Sequence, residues 1–165
     1  MANNEGTTTI DTTTTGKSRS KLTQILKRWD NYAPVRELCR RLQSGPAGLR
    51  TVTGLAGSSE AFLIRSIALM SQRPILVITD SSDQARDLYD DLSFLMDEGT
   101  VGHFPARQLL PYAFRAPVGE SMGRRISTLA RLSDGKLKVA VCPIRAVLEP
   151  TIYPDFLREA CIDLN

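Results

Sequence analysis

Histidine is nearly absent from this 165-residue chain, His103 being the only one. A single imidazole leaves neither a histidine-rich metal centre nor a Ser-His-Asp triad with material to work with, and His103 at a strand end reads as structural. Cysteine is scarce as well. Cys39, Cys142 and Cys161 are odd in number, far apart and never spaced as C-x-x-C, which argues against a disulfide framework and a zinc site and leaves buried free thiols as the expectation. Aromatic residues make up only 6% of the chain, too few to interleave a basic surface with stacking rings. No apolar run approaches the length of a membrane span, and the N-terminus lacks the apolar stretch of a signal peptide, so the chain reads as cytoplasmic, without membrane contact.

What is present is the composition of a globular domain, 42% hydrophobic and 24% charged, on a chain long enough for one respectable core. The net charge of +3 is unevenly placed: residues 1–50 carry nine Lys/Arg against four acids, a balance of +5, leaving −2 for the remainder. Such a leading segment suits nucleic acid or an acidic partner, or simply two solvated helix faces; the absence of interleaved aromatics favours the last.

Residues 1–19 are rich in Thr, Asn, Gly and Ser with hardly an apolar residue, and form a leader predicted to be disordered. Residues 20–48 form a helical segment. Leu22, Ile25, Leu26 and Trp29 repeat at helical spacing behind Ser20 as a cap, with Trp29 as a packing anchor, and Pro34 opens a second helix with Val35, Leu38, Cys39 and Leu42 on one face. Residues 49–150 alternate strand and helix. Strands are predicted at Leu49–Thr53, Ile75–Thr79, Val101–Phe104 and Leu137–Cys142, the second a continuous apolar run of the kind covered on both faces in parallel sheets. Ser81 and Gln84 stand in capping-box spacing ahead of Ala85, Leu88, Leu92 and Leu95, and a later helix carries Met122, Ile126, Leu129 and Leu132. The rhythm indicates an α/β fold, a parallel sheet with flanking helices. Four strands are few for a nucleotide-fold sheet, so an incomplete sheet, finished by further chain, is expected.

The most informative stretch is Gly54-Leu55-Ala56-Gly57-Ser58-Ser59-Glu60-Ala61, set between a predicted strand and a predicted helix. A working phosphate loop reads G-x-x-x-x-G-K-[ST], its Lys reaching the β/γ-phosphates and its hydroxyl holding magnesium. Aligned from Gly54, the second Gly is Ser59, the Lys is Glu60 and the Ser/Thr is Ala61. Unit charges ~4 Å apart interact by roughly 4 kcal/mol at an effective dielectric of about 20, so Glu60 turns an attraction for polyphosphate into a repulsion of similar size. A carboxylate in a first helical turn instead complements the macrodipole by roughly 0.3–1 kcal/mol. Gly54, Gly57, Ser58, Ser59, Glu60 and Ala61 thus read as a degenerate phosphate loop kept for its shape, with no functional cofactor, metal or catalytic residue in this segment.

With these residues in place, the stretch from about Thr51 to Pro154 resembles the N-terminal region of the bacterial transcription-repair coupling factors (Mfd), whose first module is similar to the damage-verification protein UvrB. The resemblance rests on Val52–Leu63 around the glycine turn, Phe104-Pro105 leading to Leu110-Pro111-Tyr112, Gly123-Arg124-Arg125-Ile126 leading to Leu129–Leu132, and Arg145-Ala146-Val147-Leu148. It implies a P-loop NTPase (RecA/UvrB domain 1a)-like fold with a degenerate nucleotide site. UvrB looks to carry an intact loop and a long Tyr-rich hairpin; here the stretch from Pro105 to Glu120 is short, with only Tyr112 and Phe114, expected to be packing residues. The family implies a protein that releases RNA polymerase stalled at DNA lesions and recruits UvrA for nucleotide excision repair. Its ATP- and magnesium-dependent DNA translocase lies in a C-terminal motor absent from this segment. UvrA docking would fall chiefly on an adjacent module, toward which residues 151–165 lead. Arg124 and Arg125 sit where a related helicase core approaches nucleic acid, although two adjacent arginines also serve as solubilising charges.

Two rival readings stay open. One is an atypical P-loop ATPase drawing its cation from Arg65; the other is a dinucleotide- or methyl-donor-binding domain using Asp80 for a ribose. The G-x-G-x-x-G spacing is missing, and Asp80 beside Ser81 and Ser82 equally suits a helix start.

Overall fold

The computed structural model describes residues 12–107, 119–153 and 156. Tyr112, Phe114, Cys161 and most of the 151–165 lead lie outside these residues, as do residues 1–11 of the leader. Residues 12–19, expected to lack structure, instead open the first helix, α1 (Thr12–Asp30). Once the turns around Trp29 are anchored by packing, each further residue adds a hydrogen bond without a new nucleation cost. The Trp29 ring lies 5.9 Å from Phe62 and 6.5 Å from Tyr32, the anchoring role its spacing predicts.

Helix α2 (Ala33–Ser44) starts with Pro34 in its first turn and buries Val35 and Cys39 against Leu63 of α3 (Ser59–Met70). Asp30 ties α1 to α3. Its carboxylate accepts from Arg65 Nη1 at 3.1 Å and from Ser66 Oγ at 2.7 Å, while Arg65 Nε donates to the Leu95 carbonyl at 3.1 Å.

Among the described residues the sheet has three parallel strands, β1 (Ile75–Thr79), β2 (Val101–His103) and β3 (Val139–Pro143), in the order β1-β3-β2. Their placement matches three of the four predicted strands. Val139 and Val141 of the central strand are fully buried, and they form the main core with Val101, Ala61 and Ala68 of α3, and Ala85, Leu88 and Leu92 of α4 (Ser82–Leu95). Ser81 caps α4, accepting from the Gln84 amide at 3.2 Å, as the capping-box spacing predicts.

The fourth predicted strand is not one: residues 49–56 are irregular and exposed, with Leu49 92% accessible. The expectation of a strand feeding the glycine turn is therefore corrected, and β1 becomes an edge. A second expectation falls with it. The register Leu76↔Ala140 and Ile78↔Cys142 puts Leu76 and Ile78 on the face opposite α4. There they remain 57% and 48% exposed, because among the described residues α5 (Gly119–Ser133) and α6 (Ile144–Leu148) lie over β2 and β3. β1 is covered on one face, not two.

Helix α5 also departs from its predicted stripe. Arg125 and Thr128 are its buried residues, whereas Ile126 is 36% exposed. The helix sits close to the sheet at Gly102, where an added Cβ would stand 2.6 Å from Leu137 Cδ1 and 2.9 Å from Thr128 Cγ2. Thr128 Oγ1 donates to the His103 carbonyl at 2.8 Å and fixes this approach. Gly102→Ala is expected to lower the unfolding free energy by about 1–3 kcal/mol through overpacking, measured by urea denaturation. An unchanged midpoint would show that α5 is not held against β2.

Candidate functional site

The glycine turn leads straight into α3, and its geometry decides what it can hold. Gly54 and Gly57 have φ of +83° and +54°, the left-handed region that a side chain disfavours. Ser59, the first residue of α3, closes the turn on itself: its Oγ accepts from the Ala56 amide at 2.7 Å and donates to the Ala56 carbonyl at 2.8 Å. The Ala56 N–H, one of the amides that a phosphate cradle would present, is thereby occupied. Glu60 is exposed in the first turn of α3, where its charge suits the helix dipole. Ala61, at the position that carries the metal-binding hydroxyl in a working loop, has no accessible surface and belongs to the main core. Ser58 precedes the helix without a capping side-chain hydrogen bond. The residues aligned as a loop are together, but the strand that should support them is missing.

Arg65, the substitute cation of the rival ATPase reading, is committed to Asp30 and the Leu95 carbonyl. Asp80 is exposed and its amide donates to Gln84 Oε1 at 3.3 Å, a helix-start role. Among the described residues no group of three or more His, Cys, Asp or Glu is placed to hold a metal ion. No described helix is long and apolar enough to cross a membrane.

The arginine pair separates into two different residues. Arg124 is exposed. Arg125 is 3% exposed and points inward, so its assignment as a nucleic-acid contact is corrected. Its Nη1 donates to the Pro105 carbonyl at 2.7 Å and to Glu149 Oε2 at 3.0 Å, and its guanidinium carbon lies 4.0 Å from the centre of the Phe104 ring. Glu149 also accepts from the Arg107 amide at 2.8 Å, and Arg107 Nη2 reaches the Pro150 carbonyl at 2.6 Å. Burial, partly offset by Glu149, lowers the Arg125 pKa. The result is a clamp joining the end of β2, the middle of α5 and the segment after α6.

Across 96 residues the chain is 27% identical to the transcription-repair-coupling factor of Bacillus subtilis (strain 168), a stretch that covers 58% of this chain and 8% of that protein. It is 28% identical over 96 residues to the factors of Staphylococcus haemolyticus (strain JCSC1435) and Staphylococcus aureus (strain USA300), with the same shares covered. Over that stretch the chain is a homologue of the transcription-repair-coupling factors. No family model matches it.

Phe104, Pro105 and Glu149 meet around the Arg125 guanidinium, and Arg145 Nε lies 3.8 Å from Glu149 Oε1. Sequence reasoning missed Glu149 and Arg107, since neither lies in a motif; the available signal was an acid four residues beyond Arg145 at the end of a short helix.

His103 lies between the sheet and α4, its ring stacked on Tyr89 at 5.4 Å and both ring nitrogens buried without a partner. The stack fits the packing role expected of it, whereas the two unpaired nitrogens carry a desolvation cost. Burial, then the nearby charges of Arg124 and Arg86, lower its pKa, against a weaker opposing pull from Asp90. Cys39 and Cys142 are buried free thiols whose pKa burial raises.

Two predictions follow from this geometry. Removing one member of a buried ion pair costs about 3–5 kcal/mol, so Glu149→Ala should destabilise strongly, whereas Arg124→Ala should stay within about 1 kcal/mol. Equal denaturation midpoints for the two variants would refute the clamp. For His103, the unfolded chain binds more protons below the ordinary value of 6.5 than the folded one does. Stability should therefore be level above that pH and fall as pH drops toward the folded-state value. His103→Phe keeps the Tyr89 stack and should flatten that part of the pH–stability curve.

Proposed function

We propose that this chain is a non-catalytic scaffold segment of a transcription-repair coupling protein, retaining the shape of an ATPase module without its nucleotide chemistry. The observation that carries the reading is Ala61: the position needed for a magnesium ligand is packed at 0% exposure inside the main core. Glu60 beside it and the self-closed turn at Ser59 support the same conclusion. Homology to the coupling factors supports a role in transcription-coupled DNA repair. The matched stretch spans 8% of the relatives' length.

In this reading the longer chain is an ATP- and magnesium-dependent DNA translocase that displaces stalled RNA polymerase and recruits UvrA, working in the cytoplasm. The present segment supplies a platform, with UvrA docking on an adjacent module. The exposed Leu76 and Ile78 on the β1 edge support a sheet that further chain covers, since an open apolar edge is an aggregation hazard.

Titration of the segment with a fluorescent ATP analogue and magnesium should give no saturable signal at micromolar concentrations, and Glu60→Lys should not restore one. Saturable binding by the unaltered chain, abolished when Gly57→Val distorts the turn, would overturn the scaffold reading.

A further inference from the structure

Away from the glycine turn, the C-terminal ends of α2 and α3 and the irregular segment that follows α2 enclose a groove of about 670 Å³. Its apolar lining comes from Leu42, Ile67 and Met70, and Arg41, Arg50 and Arg73 stand around it, with no carboxylate among the described lining residues. A second depression of about 530 Å³ adjoins it, sharing Gln43 and Met70 and adding Arg36 and Arg40. The one acid along this path, Glu37, is already bound by two of the arginines, its Oε1 lying 2.8 Å from Arg40 Nη2 and 2.6 Å from Arg41 Nε. Those contacts hold its carboxyl down to about 2, so it stays ionised and paired at any ordinary pH.

The groove is held open by its own bonds. Gln43 Nε2 donates to the Met70 carbonyl at 2.7 Å and bridges α2 to α3. Arg50 donates to the Pro46 and Leu49 carbonyls at 3.3 and 3.1 Å, which fixes the wall between Gly45 and Arg50. A partner would therefore meet little ordering cost on the protein side.

We propose that this groove docks an acidic, amphipathic helical segment of a partner protein, its apolar side chains seated against Leu42, Ile67 and Met70 and its carboxylates paired with Arg41, Arg50 and Arg73. Charge complementarity selects an anionic occupant, because the described residues around the groove and its neighbour include five arginines and one carboxylate, Glu37, which engages Arg40 and Arg41 and leaves the charges of Arg36, Arg50 and Arg73 uncompensated by it. The lining selects peptide over nucleic acid. Single strands need aromatic platforms for their bases, and among the described residues no aromatic side chain lines either depression. The volume is that of a pocket for buried apolar anchors, and the helix-in-groove mode supplies them at i, i+3 and i+4. The site lies on other residues than the glycine turn, so it stands whatever the turn binds.

The test is fluorescence anisotropy with a fluorescein-labelled helical peptide bearing a Leu face and a Glu face, its Gln-for-Glu counterpart, and labelled oligothymidine. The Glu peptide should bind saturably and weaken with salt, while the Gln peptide and the oligothymidine do not saturate. Arg50→Glu with Arg73→Glu should weaken binding about tenfold or more, since charge reversal at a docking rim opposes an acidic partner. Met70→Asp should do so through the apolar floor, with circular dichroism and the urea midpoint confirming that each variant folds. Oligothymidine binding that displaces the peptide, equal affinity for the Gln peptide, or indifference to the double reversal would each overturn the proposal.

Discussion

The burial of Ala61 constrains everything around the glycine turn. Helix α3 joins the main core through small residues, Ala61 in its first turn and Ala68 two turns later, and packs against α4, the helix that lies on the central strand. That packing has a chemical consequence. A hydroxyl at position 61 would be desolvated in an apolar core instead of pointing at a metal, and burying a polar group without a partner costs about 1–3 kcal/mol. The same packing that stabilises the module thus removes one requirement of nucleotide chemistry at its source.

At the opposite side of the sheet the dominant contact is ionic. Arg125 is enclosed by Phe104, Pro105 and Glu149, and Glu149 in turn holds the Arg107 amide. One guanidinium nitrogen of Arg125 and the Nε of Arg107 remain buried without hydrogen-bond partners, so the clamp is not fully satisfied. A buried pair of this kind contributes less net stability than an apolar replacement of equal shape, while it fixes which groups must meet. Here it fixes the path of the chain after β2 and after α6, where the ends of two parallel strands come together.

Much of this was legible in the sequence where local signals governed. The apolar run Ile75–Thr79 is β1 to the residue, Pro34 stands in the first turn of α2, and Ser81 caps α4 through the Gln84 amide. Reading failed where a distant partner decided the outcome. Leu49–Thr53 has strand composition, yet a strand exists only when another strand pairs with it, and none among the described residues does. Periodicity assigned Ile126 to the core and Arg125 to solvent, and the reverse holds because Glu149, 24 residues on, compensates the charge. The need for glycine at position 102 is likewise visible only once Leu137 and Thr128 converge on it.

The glycine turn shows why no single reversion would restore a phosphate site. Glu60→Lys would replace a repulsion of roughly 4 kcal/mol at ~4 Å by an attraction of similar size, which taken alone is a large gain. That gain presumes a phosphate already seated against free amides, and the Ala56 amide is held by Ser59 Oγ. It also presumes a strand to fix the loop, and residues 49–53 are irregular and exposed. The metal ligand, finally, requires a hydroxyl where Ala61 fills the core. Charge, amide, strand and hydroxyl are separate deficits with separate structural causes, so repairing one leaves the other three in place.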